Sequence, residues 1–445
     1  MTRQTLRVTD VIDASPLSAL QVRVLLLCFL VVLLDGFDMA VIGYVAPELL
    51  RDWNIERGQL VPVFAAGLFG MLLGNLALGP LADRHGRKRV LLLSLTINAI
   101  GTLACAFAGS PTWLAMLRFL TGIGIGGVLP NSITLCSEYS PARRRTLLVM
   151  LSNSGFTLGL AMGGWLAAAL LPSIGWQGLL LLGGLAPLLL LPVLALGLPE
   201  SISFMADRAA YADRLRAVLG QIGGRRAWHA VRLVGDGATR GASSPASILF
   251  RDGHGLRTLM LWLSFFCCLL VFYLLANWLP TLLHEHGYER AQIANIAAMV
   301  PFGGVLGGVS MALLIDRMGA AKVLPPLCLL AAVALALAGA TLEQGRALPA
   351  MALVFLVGFT LTGTLNNLGI LAATLYPSQA RATGVSWALG AGRVGSIIGS
   401  LSGAWLLAAA GGLQALFQCI ALPVLCSALA LLLMGGRRPL SPLPW

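Results

Sequence analysis

Residues 79–90 read GPLADRHGRKRV. Asp83, Arg84, Arg87, Lys88 and Arg89 crowd this one short segment. Apolar residues press in from both sides, at about 59–82 before it and 89–109 after it. Each run reaches the roughly 18 or more residues that cross a bilayer as a helix. So dense a charge cluster cannot sit in hydrocarbon. The stretch therefore reads as a tight polar turn between two membrane spans.

The same alternation continues in both directions. Candidate spans fall at about 22–47, 59–82, 89–109, 113–137, 146–171, 176–198, 257–283, 291–315, 322–342, 348–375, 382–409 and 413–434. Only 11% of the 445 residues are charged and 58% are hydrophobic, with mean hydropathy +0.85. Soluble domains carry about 25% charged residues, so a soluble fold is excluded. The fold class is all-α, with twelve transmembrane helices in two six-helix bundles. Domains are expected at 1–198 and 257–445, joined by the hydrophilic linker 199–256. No removable signal peptide is evident at the start.

Arginines set the orientation. With both termini inside, the inner segments hold Arg84 to Arg89, Arg143 to Arg145 and the arginine-rich linker, while the outer loops hold only Arg51, Arg57, Arg290 and Arg346. Excess Lys and Arg mark the cytoplasmic side, so both termini are expected there. The net charge of +12 is spread over short loops, and no nucleic-acid face is expected. The eight cysteines lie in or beside apolar runs without metal-ligand spacing, and read as small apolar fillers. No metal or cofactor is expected.

The opening stretch has an echo. ALLIDRMGAAKV, residues 312–323, repeats D-R-x-G at an offset of 233 residues, and EYSPARRRT (138–146) is echoed by LYPSQARAT (375–383). Parallel six-span repeats are a known transporter plan, with the site at mid-membrane between them.

Gly79, Asp83, Arg84, Gly86, Arg87, Lys88 and Arg89 resemble the loop 2–3 signature of the major facilitator superfamily. The second copy departs from it, with Ala312 for the glycine and Ala320 and Ala321 for the basic pair. Asp83 would face the start of span 11 near Arg381, where a helix N-terminus favours a carboxylate. Such a contact would latch the inner side, with Asp316 as a weaker counterpart. The alternative is that Arg87 to Arg89 only set topology.

DGFDMAVIGYVAPEL in span 1, RFLTGIGIGGVLPNSITLCSEYSPARRR in span 4 and LYPSQARATGVSWALGAGRVGSIIG in span 11 are similar to the aromatic acid:proton symporters of that superfamily. The resemblance covers the whole chain. It implies import of a benzoate- or hydroxybenzoate-type anion with protons across a bacterial inner membrane. Its matching positions are Asp35, Asp38, Arg118, Glu138, Arg381 and Arg393.

The residues themselves lead to a related reading. Asp35 lies about 18 Å of helix beyond Arg23, and Arg393 the same distance beyond Arg381, roughly mid-bilayer in both cases. Asp38 shares a face with Asp35, one turn on. Arginine stays charged and grips carboxylates bidentately, while buried carboxylates can change protonation state. An anion-plus-proton carrier requires both. Asp35 or Asp38 could instead be a structural partner of Arg118, and Glu138 a surface partner of Arg143 to Arg145. Candidates for gripping the ring are Tyr44, Tyr273, Asn277, Trp278, Asn366, Asn367 and Trp387. Gly122, Gly124, Gly126 and Gly127 lie inside a span with no strand before them, which indicates close helix packing, not a dinucleotide loop.

The expected partners are an aromatic carboxylate, protons and the lipid bilayer, with a monomer as the working unit. An exporter driven by proton antiport is the alternative in the same fold. Leu160 occupies the position where such exporters carry proline after a glycine, which counts against it. A carrier of a non-aromatic organic acid is a further alternative. No nucleophile–base pair suggests an enzyme.

Overall fold

The computed structural model describes residues 5–206, 208–223, 232–234, 255–375, 381–409 and 411–435. The spans form as helices along this length. Span 1 is Ala19–Asp52. A short 3-10 turn, Arg57–Leu60, leads into span 2, Val61–His85. Spans 3 and 4 are Arg87–Cys105 and Pro111–Tyr139. Arg145–Gly197 carries spans 5 and 6, broken at Gly175 where φ is 66° and helical geometry fails. Spans 7 to 9 are Gly255–Glu285, Arg290–Met318 and Ala320–Glu343. Span 10 runs from Ala347 to Leu375 through a π-turn at Gly358–Thr362, and spans 11 and 12 are Arg381–Ala409 and Leu413–Gly435. The expected all-α membrane fold stands, and the helices among the described residues are consistent with twelve spans.

The opening turn owes its shape to Gly86. Its φ of 103° is open to glycine and strained for other residues. Gly319, 233 positions later, has φ 84° between spans 8 and 9. The glycine of each D-R-x-G copy is thus a backbone requirement.

By contacts the chain falls into two compact units. Unit 1 draws on Met1–Met39, Phe69–Gly159 and Gln177–Arg240, and unit 2 on Ala40–Leu68, Leu160–Trp176 and Gly241–Trp445. The ends of spans 1, 2 and 5 on the side that charge assigns to the outside therefore pack with spans 7 to 12.

In unit 1, span 4 approaches spans 3 and 2 closely at glycines. A side chain at Gly124 would collide with the backbone of Ser94 and Asn98, and one at Gly126 with that of Met71 and Asn75. Close packing is what these glycines serve. In unit 2, Gly395 and Gly399 of span 11 meet the backbone of Phe266 and Leu270 in span 7.

The start of the linker is more ordered than its composition suggests. Ala212–Gly223 is a helix whose Leu215, Leu219 and Ile222 are buried with Val8, Val11 and Ile12 of the helix Val8–Ala14. Two short strands, β1 (Thr5–Arg7) and β2 (Arg232–Val234), pair in parallel, with Leu6 opposite Leu233. Of the cysteines, six are buried, and Cys419 and Cys426 are exposed.

Candidate functional site

Unit 1 has a charged centre. Asp35 and Asp38 of span 1 are each 1% exposed. Arg118 of span 4 pairs with Asp38, Nη1 to Oδ2 at 2.9 Å. Thr102 of span 3 donates to the other oxygen of Asp38 at 2.8 Å, and its own oxygen stands 3.1 Å from Asn98 Oδ1. The pairing with Arg118 that the sequence left open is realised at Asp38. Asp35, one turn nearer the start of span 1, is buried in the same unit.

A second network ties the helix ends of unit 1 that charge assigns to the inside. Arg87 reaches Asp83 at 3.4 Å and Glu138 at 3.5 Å. Glu138 also accepts from the Ser201 hydroxyl at 2.7 Å. Its partner is thus Arg87, where the sequence suggested Arg143 to Arg145. Arg208 donates to the Arg84 carbonyl at 2.6 Å. Asp83 is 71% exposed, and a side chain at Gly79 would meet open space. The side chains of Asp316 and Arg381 lie outside the described residues, so the latch between Asp83 and span 11 remains an expectation.

Glu200 was not singled out in the sequence. Its carboxylate accepts from the backbone of Lys88 at 2.9 Å and of Ser201 at 2.8 Å, which ties the start of span 3 to the end of span 6. Tyr139 donates to the Glu200 carbonyl at 2.7 Å. The signal available was PES at 199–201, directly after an apolar span.

Unit 2 holds the other candidates. Arg393 of span 11 donates to the Tyr273 hydroxyl of span 7 at 3.0 Å and is half-buried. Among the described residues, no carboxylate pairs with it. Trp387 stacks on Trp262, with ring centroids 5.7 Å apart. Asn277 and Trp278 are buried and turn their polar atoms to Ser400, donating to its hydroxyl at 2.8 Å and its carbonyl at 2.9 Å. Asn367 donates to the carbonyls of Gly308 and Gly363. Tyr44 lines an apolar hollow with Ala40, Leu160, Phe272 and Ala297. Asn366 lies against Gly308.

Long apolar helices enclosing buried charges define a multi-pass membrane protein. Residues 28–233 and 261–444 match the Major Facilitator Superfamily. The chain is 43% identical over 437 residues to a gallate transporter of Pseudomonas putida, covering 97% of this chain and 95% of that one. It is 42% identical to the 4-hydroxybenzoate transporter PcaK of Pseudomonas aeruginosa, covering 97% and 96%. The xylose transporter XylE from E. coli shares the fold, with TM-score 0.73 at 17% identity over 92% of this chain and 95% of that one. The chain belongs to the major facilitator superfamily, in the branch that holds these aromatic acid transporters.

Proposed function

We propose that the protein imports an aromatic carboxylate of the benzoate or hydroxybenzoate class together with protons, across a bacterial inner membrane, with both termini in the cytoplasm. The observation that carries this reading is Arg393. Charged groups within membrane spans are paired or face a water-filled path. Arg393 sits mid-span, half-buried, with a tyrosine hydroxyl and no carboxylate partner among the described residues. A substrate carboxylate supplies the missing charge. Its two oxygens match the guanidinium fork. Because the Tyr273 oxygen accepts from Arg393, its O–H proton is left to donate to the same anion.

Proton coupling is assigned to the two carboxylates of span 1, with Asp35 favoured by its depth in the span. Asp38 is held by Arg118 and Thr102. Asp35 is buried one turn away in the same unit. One of the two takes the proton before the carrier reorients. Trp387, Trp262 and Tyr44 are proposed to contact the ring, and Arg87 with Glu138 to steady the inner ends of unit 1. The carrier works by alternating access as a monomer.

The test is uptake into proteoliposomes of labelled benzoate, 4-hydroxybenzoate, protocatechuate and gallate under an imposed pH gradient. Accumulation of at least one acid, abolished by dissipating the gradient, is the expected result. Accumulation that ignores the gradient refutes proton coupling. Efflux without uptake refutes import.

A further inference from the structure

Two ion pairs on the outer face of unit 2 are built from the same parts in exchanged positions. Glu48, near the end of span 1, accepts from Arg290, the first residue of span 8, at 2.5 Å. Glu285, the last residue of span 7, pairs with Arg57, the first residue of the turn into span 2, at 2.5 Å. Arg51 adds a longer contact to Glu48 at 3.4 Å.

Both arginines sit in one motif. Residues 56–60 read ERGQL and residues 289–293 read ERAQI, offset by the same 233 residues as the D-R-x-G copies. In each, glutamate caps the helix and glutamine three positions on bonds back to the glutamate backbone. The cap fixes the backbone on which each arginine stands. Each arginine then reaches the glutamate of the other sequence half. Beneath the charges the contact is close and apolar. A side chain at Gly43 would collide with the Ala276 carbonyl, and Phe64 meets Trp278 edge to face at 5.2 Å.

We propose that Glu48–Arg290 and Glu285–Arg57 form a reciprocal gate that holds the outer entrance closed. The proposal rests on the alternating-access reading above. Opening to the outside must part spans 1 and 2 from spans 7 and 8, and so must break both pairs. Pairs that opening must break bias the two-state equilibrium toward outer closure.

The test reads access and needs no substrate, so it is independent of which acid is carried. A cysteine reporter is placed at Ala297, which lines the hollow beside Tyr44. Its reaction with a membrane-impermeant maleimide added from outside is timed against the protein lacking the reporter. The variant carrying Glu48→Gln and Arg57→Gln loses both pairs. It is expected to label about tenfold faster, equivalent to about 1.4 kcal/mol. Glu48→Arg alone is expected to label faster still. Adding Arg290→Glu to it restores an exchanged pair and should bring the rate back to within about twofold of wild type. An unchanged rate in the doubly neutral variant overturns the gate. So does an exchanged pair that labels as fast as Glu48→Arg alone.

Discussion

Removal of Arg118 and Asp38 together should cost less than the sum of the two single removals. The two side chains are 2% and 1% exposed, and their contact is 2.9 Å, so solvent screens little of it. Unit charges about 4 Å apart attract by about 4 kcal/mol at an effective dielectric of about 20. Loss of one partner also strands the other in a buried site, and such breakage costs about 3–5 kcal/mol. Arg118→Met and Asp38→Asn should each fall in this range. The double variant leaves no orphaned ion, so its loss should be smaller than the sum by about 2 kcal/mol or more. Thermal unfolding of detergent-solubilised protein is the assay. For bodies of about 150–250 residues, each kcal/mol shifts the midpoint by about 2–4 °C, so each single variant should melt at least about 6 °C lower. Additive losses, or a single variant that melts with wild type, would refute the structural role given to this pair.

Arg393→Lys should lower uptake of an aromatic acid at least about tenfold, since the bidentate fork is worth more than a point charge; equal binding of the acid by both proteins would remove Arg393 from the site. Asp35→Asn should abolish accumulation driven by a pH gradient while exchange of labelled for unlabelled substrate persists, and accumulation at the wild-type rate would move coupling elsewhere. Gly124→Leu should sharply reduce folded protein recovered from membranes, because its side chain meets the backbone of Ser94 and Asn98; normal yield and melting would show that spans 3 and 4 can separate. Asp83→Asn should slow turnover more than it alters equilibrium binding of substrate, and normal turnover would reduce the loop to a topology signal.

The membrane architecture was legible because its signals are long and redundant. Apolar length, loop arginines and D-R-x-G repeats all point to one arrangement. What escaped was carried by short local patterns. Leu215, Leu219 and Ile222 make an apolar stripe at helical spacing within an arginine-rich linker, and the charge obscured it. Glu200 acts through backbone donors of another span, which no spacing within PES reveals. Asp35 and Asp38 look equivalent in the sequence. The gathering of Arg118 and Thr102 around Asp38 is visible only in the structure. Asn277 and Trp278 read as ring contacts, yet their polar atoms bond Ser400, a partner well over a hundred residues away.

The exchanged pairing of E-R-x-Q caps and span-end glutamates constrains how such carriers can be recombined. A hybrid that joins the first six spans of one relative to the last six of another inherits Glu48 and Arg57 from one parent and Glu285 and Arg290 from the other. Each contact then has parents on both sides of the junction. If one parent uses the opposite charge order, both contacts fail together, because glutamate meets glutamate and arginine meets arginine. A linker crossover is therefore safest between parents that share this charge order, whatever their overall similarity.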